Sequence, residues 1–308
     1  MRVIGSILSV MLLVLVDATG TAAQQKKSSA AQQNAAWPSR TPDGQPDIQG
    51  VWGSYDSGTF SLNLEPTAHL RSLGMPRGTG GIVSFAGDYA IPKDLKPTLV
   101  IDPPTGILPH QPWALERRNS VMREYIRPKL WQIDPQTRGW PNGVPRVHSY
   151  SSVDGSIGGP WQIMQGPGYV LFLYELQHEF RYVPLDGRPQ PGQDIKLWMG
   201  SSRGRWEGNT LVIESANHND STRFDVVGNF HSDEMRVTER YIFVDKDTIE
   251  YRATIDDPGV YTKPWTIGIR NKRTAPGTEV MEYAGVEGDK DATNATNYAL
   301  TPGAAGTK

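Results

Sequence analysis

The sequence predicts an all-β fold class, in the main: an antiparallel meander that forms a lipocalin-like barrel, with a β-sandwich as the alternative. Residues 234–244 and 248–255 alternate apolar and polar side chains and are joined by a tight turn at 245–247. Further short apolar segments, separated by turn residues, follow one another from about residue 146. The 32 Gly and 24 Pro have no period, so they mark turns rather than a collagen repeat.

The start of the chain predicts export. Met1 and Arg2 precede an apolar run from 3 to 16 and then small residues, which indicates a secretory signal peptide over 1–23. The apolar run is shorter than the roughly 20 residues that a spanning helix needs. The chain has no Cys, which excludes disulfides and thiolate chemistry. We therefore expect a secreted or periplasmic bacterial protein, without membrane insertion once the signal is removed.

The composition of the rest of the chain predicts a leader, one domain and a tail. Residues 24–36, rich in Gln, Ala, Ser and Lys, predict a disordered leader, and 289–308 predict a flexible tail. Residues 37–288 are expected to form a single β-rich domain. The net charge of −2 and the pI near 6.3 give no electrostatic basis for binding nucleic acid.

Within this domain, residues 37–145 are rich in Pro, Gly and Asp and predict an irregular wrap. One helix is expected over 112–126, because Pro112 suits a first turn and the apolar residues follow a helical stripe. Pro128 would end this helix.

The barrel strands are expected over 146–288. The continuous apolar run 169–174 predicts a strand buried on both faces. Closure of the meander removes exposed edges and leaves an interior wide enough for one small ligand. Other expected strands are 161–165, 178–183, 195–198, 204–206, 210–213, 260–269 and 280–283.

Glu239 is the most informative candidate, because it lies on the apolar face of the 234–244 strand with Met235 and Tyr241. A buried carboxylate must be paired or protonated. It is either a general acid or base with a raised pKa, or one half of an ion pair with an inward Arg such as Arg181. Tyr241 or Arg181 would then stabilise developing negative charge.

His178 is a second candidate. In a strand, His178, Phe180 and Tyr182 share one face, and Glu179 and Arg181 share the other. A histidine that titrates near neutrality suits proton transfer. The alternative is a core histidine bonded to a backbone carbonyl.

The polar loop over 215–234 contains two further histidines. His218 with Asp220, and His231 with Glu234, have the side chains that a zinc-like ion prefers. Neither pair forms an HExxH motif, and His231 and Glu234 could equally form the turn into the next strand. We assign no metal ligand here and keep His231 as a candidate catalytic residue.

The nine Trp are expected mostly in the core, with two or three along a pocket for an apolar or aromatic ligand. The candidate substrate-binding residues are Tyr174, Glu175, Trp198, His218 and Trp265.

Several segments together resemble a family of secreted bacterial proteins that are mostly described as hypothetical. They are TPDGQPDIQGVW (41–52), GVPR (143–146), YELQHEFR (174–181), LDGR (185–188), GRWEGNTLV (204–212) and HSDE (231–234). The resemblance covers about residues 40–290 and implies an exported, single-module protein, with no activity or catalytic residue attached. Relatives often carry a Cys near the segments at 143 and 285, where this chain has none.

Three functions follow from these patterns. The first is a cofactor-independent lyase, hydratase, cyclase or isomerase that binds a small hydrophobic or aromatic molecule in the barrel and moves protons through His178, Glu239 and His231. The second is a periplasmic binding protein without turnover, and the third is a metal-dependent hydrolase that uses the 218–234 loop. No P-loop or GxGxxG motif is present, which argues against nucleotide use.

Overall fold

The structure, a computed structural model, describes residues 39–56, 64–73, 98–124, 128–149 and 158–283. Antiparallel β-structure dominates these ranges, which confirms the predicted mainly β fold class. The expected signal peptide over 1–23, the leader over 24–36 and the tail over 289–308 lie outside the described residues.

The secondary structure elements of the described ranges are short. The strands are Gly50–Ser54 (β1), Val100–Asp102 (β2), Trp161–Gly166 (β3), Tyr169–Tyr174 (β4), Phe180–Pro184 (β5), Ser201–Glu207 (β6), Thr210–Ala216 (β7), Arg236–Asp245 (β8), Thr248–Asp256 (β9) and Trp265–Arg273 (β10). The helices are Thr67–Ser72 (α1), Pro112–Arg123 (α2) and Arg146–Ser149 (α3), with 3-10 turns at Leu130–Gln132 and Pro135–Arg138.

The sheet joins two meanders through β1. Its strand order is β5-β4-β3-β1-β10-β9-β8-β7-β6, with β2 paired to β10. In the register of the sheet, Trp52 of β1 is paired with Trp161 of β3 on one side and with Arg273 of β10 on the other. We expected barrel strands only from residue 146 onward. That boundary is wrong, because β1 comes from the Pro- and Gly-rich part of the chain.

The two ends of this strand order, β5 and β6, lie side by side. Arg181 Nε on β5 donates to Ser202 Oγ on β6 at 2.8 Å. A Cβ on Gly204 of β6 would lie 2.6 Å from Leu185 Cδ2 and 2.8 Å from Val183 Cγ1. The missing side chain at Gly204 therefore allows close packing against β5, and the sheet forms a nearly closed barrel.

Strand alternation largely follows the prediction. On β9, Ile249, Tyr251, Ala253 and Ile255 are buried as one face. The expectation that 169–174 is buried on both faces is wrong. In Tyr169–Tyr174 every second residue is buried and the others are half-buried, because the outer face of β4 borders solvent.

Two expected strands are reduced to single bridges. Leu197 pairs with His218, and Tyr283 pairs with Leu176. Turn hydrogen bonds lie on both sides of Leu197, from Ile195 N to Gly192 O at 3.1 Å and from Gly200 N to Leu197 O at 3.3 Å. These turns leave no room for a longer ladder. The expected strand over 260–269 begins only at β10, after a proline that has no N–H to donate.

The predicted helix is α2, and it ends at Arg123, while residues 125–126 of the prediction lie outside the described ranges. Ala114, Val121 and Met122 are buried. None of the described helices combines the length and the apolar character that a membrane-spanning helix requires.

Candidate functional site

An ion pair lies inside the barrel. The Glu239 carboxylate on β8 is fully buried and accepts from Arg181 Nη1 at 2.9 Å, with a second bond between Arg181 Nη2 and Glu239 Oε2. Arg181 Nη2 also donates to Ser215 Oγ at 2.6 Å. Of the two interpretations of Glu239, the ion pair with an inward Arg is therefore present in the structure.

Three tyrosines and a histidine extend this ion pair. Tyr251 OH donates to Glu239 Oε1 at 2.9 Å, and Tyr241 OH lies 3.2 Å from the same oxygen. His148 Nε2 on α3 lies 2.5 Å from Tyr241 OH and 3.0 Å from Tyr174 OH. We name this group of Glu239, Arg181, Tyr241, Tyr251, Tyr174 and His148 the barrel network. It brings together three of the predicted catalytic residues and one predicted substrate-binding residue.

Sequence reasoning missed His148. The residue belongs to a four-residue helix that follows the GVPR segment, and it has neither a strand alternation nor a helical stripe around it. Its position two residues after that segment is the one signal that pointed towards it.

The charges of the barrel network are compensated. Burial would raise the pKa of Glu239, but the charge and hydrogen bonds of Arg181 outweigh it, so the pKa lies below its usual value. Burial lowers the pKa of His148 to about 3, so its imidazole is neutral. Burial raises the pKa of Tyr241 and of Tyr251 well above the usual value. At neutral pH the network therefore holds one carboxylate, one guanidinium and neutral partners.

Aromatic side chains fill the barrel around this network. The His148 ring lies 5.0 Å from the Trp161 ring and 6.1 Å from the Phe172 ring, centroid to centroid. All three side chains are fully buried. At the level of Glu239, where a ligand lumen was expected, large inward side chains of β3, β4 and α3 occupy the interior.

His178 lies apart from Glu239. The backbone φ angles of Gln177 and His178 are 57° and 52°, so the chain turns there and β5 begins only at Phe180. The His178 side chain is 43 % exposed and its Nε2 lies 3.9 Å from Glu282 Oε1. Phe180 and Tyr182 also face outward. The face on which His178 was expected to work is the outer face of the barrel.

The remaining predicted substrate-binding residues lie in separate surroundings. Glu175 Oε2 accepts from the backbone N of Met281 at 2.9 Å. Trp198 packs edge-on against Trp140, at 5.2 Å between centroids. Trp265 is fully buried. These side chains do not line a common pocket with Tyr174.

His218 and His231 are neighbours, with ring centroids 6.1 Å apart. Burial, and then the proximity of His231, lowers the pKa of His218 to about 3. Within the described ranges, no group of three His, Asp or Glu side chains could hold a metal ion. The described part of the chain thus supplies no ligand set for the predicted metal-dependent hydrolase.

A cleft of about 470 Å³ lies between α2, the 130–140 segment and the 220–230 loop. Trp131, Trp140 and Phe230 contribute aromatic walls, and Arg117, Arg138 and Arg223 contribute guanidinium groups. We name it the arginine–aromatic cleft. The Arg138 guanidinium lies 3.8 Å from the Trp140 ring centroid, and that of Arg117 lies 4.7 Å from the Phe230 ring centroid.

Buried arginines hold the wall of this cleft. Arg146 Nη1 and Nη2 donate to Asp134 Oδ1 and Oδ2 at 2.8 and 2.7 Å. Arg223 Nη1 donates to Gln132 O at 3.0 Å, and Arg223 Nη2 donates to Trp131 O. Burial lowers the pKa of Arg223 to about 10, so it stays charged at neutral pH.

No protein-family model, curated protein or solved structure matches this chain. We therefore infer function from the geometry of its own residues. The cleft is the strongest candidate, because it is open to solvent and combines an apolar wall with a few charged groups. A smaller cavity of about 210 Å³ shares Arg117, Asp220 and Phe230 with it and includes His231 in its wall.

Replacing Glu179 by Gln is expected to stabilise the protein at about pH 8 by up to about 3 kcal/mol, and to change little at about pH 5. Burial raises the pKa of Glu179 to about 7, while its Oε1 accepts from Asn142 N at 2.8 Å. A carboxyl group whose pKa is raised on folding contributes stability that is fully present below the pKa of the unfolded state. This contribution is lost as the pH rises through the pKa of the folded state. Gln keeps the accepting oxygen without the charge.

Urea unfolding of both proteins at the two pH values measures this effect. Glu279→Gln, at an exposed position, is the control and is expected to leave the free energy of unfolding unchanged at both pH values. Equal stabilities of the wild type and Glu179→Gln at about pH 8 would contradict the prediction.

Proposed function

We propose that this protein binds a small aromatic molecule with a negative charge in the arginine–aromatic cleft. The observation that carries this proposal is the excess of positive charge on an aromatic wall. Among the described residues that line the cleft are Arg117, Arg138 and Arg223, with a single carboxylate, that of Asp220. Its volume of about 470 Å³ suits a small organic ligand.

The residue types support an aromatic anion over other ligands. Guanidinium groups match carboxylates in a bidentate fashion and stack on aromatic rings. Trp131 and Trp140 offer flat apolar surfaces to a ring, and the backbone carbonyl of Trp131 is already bonded to Arg223. The hydrophobic or aromatic ligand expected from the sequence is retained, and its place moves from the barrel interior to this cleft.

Export is part of the same proposal. The N-terminal charge and apolar run support secretion or a periplasmic location, and the segments over 40–290 support membership of the secreted bacterial family they resemble. An exported binding protein agrees with a barrel whose internal charges are paired.

Acid–base turnover is the second candidate. Glu239 is paired with Arg181 and His178 lies on the outer surface, so neither supports it at the predicted place. The observation that favours it is His231, which contributes to the cavity beside the cleft. Its lowered pKa, caused by burial, leaves a neutral imidazole that can accept a proton.

Replacing Arg138 by Gln is expected to weaken the binding of benzoate about 10-fold, which corresponds to about 1.4 kcal/mol. The change removes a guanidinium that stacks on Trp140 at the cleft wall. Titration calorimetry with benzoate and with uncharged benzamide measures the effect. Benzoate is expected to bind the wild type more tightly than benzamide does.

Arg205→Gln is the matched control, because it makes the same charge change on the surface of β6. It is expected to leave benzoate affinity unchanged at about 0.15 M salt, where distant surface charges are screened. If benzamide binds the wild type as tightly as benzoate, the proposed preference for an anion is wrong.

A further inference from the structure

A short hairpin brings Thr222 and His231 face to face. Arg223 and Phe230 form an antiparallel bridge, and Phe224 N donates to Asn229 O at 2.8 Å. In an antiparallel ladder the residues that flank a bridge lie opposite each other. Thr222 Oγ1 accordingly lies 2.6 Å from His231 Nε2.

The hydrogen bonds of His231 define its tautomer. His231 Nδ1 lies 2.9 Å from the carbonyl oxygen of Ser232, which can only accept, so Nδ1 carries the proton. Ser232 is itself held by Asp257, through Ser232 N at 2.6 Å and Ser232 Oγ at 2.8 Å. In the neutral ring Nε2 has a free lone pair, and the Thr222 hydroxyl donates to it.

Thr222 reaches the arginine–aromatic cleft, where it forms part of the wall with Arg117 and Arg223. On another side it lies against the backbone of Gly143, whose φ is 73°. A Cβ on Gly143 would lie 2.6 Å from Thr222 Oγ1. A glycine at this position therefore lets the chain approach the hydroxyl closely.

We propose that Thr222 and His231 form a nucleophile–base dyad that transfers the acyl group of an aromatic carboxylic ester. The inference rests on the proposed function, because the same cleft would bind the substrate. The geometry meets three requirements for an activated hydroxyl. The nucleophile and the base are within hydrogen-bond reach, a third group orients the base, and Thr222 forms part of the wall of an open cleft.

The proposed reaction balances with an ester and water as its reactants. Thr222 Oγ1 attacks the ester carbonyl carbon and forms a C–O bond, the carbonyl electron pair moves to oxygen, and the hydroxyl proton passes to His231 Nε2. When the carbonyl reforms, the bond to the alcohol oxygen breaks and the alcohol leaves with the proton from His231. Water then attacks the acyl-threonine with His231 as base, which releases the acid and restores Thr222.

The arginines of the cleft suit this chemistry. A tetrahedral intermediate carries negative charge on oxygen, and guanidinium groups near that oxygen stabilise it. The product, an aromatic carboxylate, is the ligand class for which we propose the cleft. The Thr222 hydroxyl is presented by a hairpin and not by the strand–turn–helix elbow of a GxSxG serine.

The test uses the full-length mature protein and p-nitrophenyl benzoate as the probe. The wild type is expected to release a burst of p-nitrophenolate and to gain one benzoyl group, which peptide mapping by mass spectrometry places on Thr222. Thr222→Val is expected to lower the acylation rate by about 100-fold or more, and His231→Gln by a similar factor. Thr222→Ser is expected to keep acylation within about 10-fold.

Thr254→Val is the matched control, since Thr254 also forms a side-chain hydrogen bond, to Thr266 Oγ1 at 3.0 Å, on β9. It is expected to leave the acylation rate unchanged. Circular dichroism checks that each variant folds. A wild type that binds benzoate but gains no benzoyl group overturns the dyad and leaves the proposed binding function intact. Loss of benzoate binding as well overturns both.

A second measurement is independent of any substrate. Nitrogen-15 correlation spectra of the folded protein are expected to show His231 with its proton on Nδ1. A proton on Nε2 would overturn the inference, because that nitrogen could not then accept the Thr222 proton. A benzoyl group on a residue other than Thr222 would overturn it equally.

Discussion

Replacing Glu239 by Gln is expected to lower the free energy of unfolding by about 3–5 kcal/mol. The change leaves the Arg181 guanidinium buried with its charge uncompensated, although Ser202 and Ser215 still accept from it. Urea denaturation measures the loss as a lower midpoint at an unchanged slope.

A double variant separates the ion pair from general packing. Arg181→Met combined with Glu239→Gln removes both charges, and we expect it to recover most of the stability lost by the single variant. Glu250→Gln breaks an exposed pair with Arg252 and serves as the control, with an expected cost below about 1 kcal/mol. If Glu239→Gln costs as little as this control, the pair does not have the structural role assigned to it.

The second large effect is expected from Arg146→Met, which should cost about 3–5 kcal/mol and also weaken benzoate binding. Arg146 makes a two-bond contact with Asp134, and both side chains are buried. This contact anchors the 130–140 segment, which forms one wall of the arginine–aromatic cleft. Without the Arg146 guanidinium, the Asp134 carboxylate is buried without its partner and the 130–140 wall is no longer held in position.

The pH dependence of this loss has a definite sign. Burial would raise the pKa of Asp134, but the charge and hydrogen bonds of Arg146 outweigh it, so the pKa lies below its usual value. A lowered pKa contributes stability that is present above the unfolded value and is lost as pH falls through the folded value. The cost of Arg146→Met is therefore expected to shrink as pH falls below about 4.

Arg205→Met, which removes an exposed pair with Glu214, is the control for this variant. Its expected cost is below about 1 kcal/mol and its expected effect on benzoate binding is nil. Unchanged benzoate affinity in Arg146→Met would show that the 130–140 wall keeps its place without the Asp134 contact.

The features that the sequence predicted correctly are local in the chain. The β8–β9 hairpin has an alternation of period two over both strands, and its turn lies between them. That period placed Glu239 on the inner face and made an inward arginine a reasonable partner. Such inferences need only neighbouring residues, and strand pairing across a hairpin preserves them.

The features that were missed depend on distant residues. β1 has five residues in a Pro- and Gly-rich region, so its own pattern does not distinguish it from a turn. His148 acquires its partners only when separate segments pack together. His178 was misplaced because the chain turns through left-handed backbone at Gln177 and His178, which residue types alone do not reveal.

The position of β1 between β3 and β10 sets an order of assembly. Arg273 Nη1 donates to Gln49 O at 2.9 Å across 224 positions of sequence, so this contact forms only after the last strand has been made. Until then two separate meanders present unpaired strand edges to other chains, at β3 and at the end of β10 near Arg273 that β2 does not cover. Insertion of β1 is thus the long-range step that covers these edges and ends the risk of pairing with other chains. Because it joins residues far apart in the sequence, we expect the barrel to fold slowly in comparison with its hairpins.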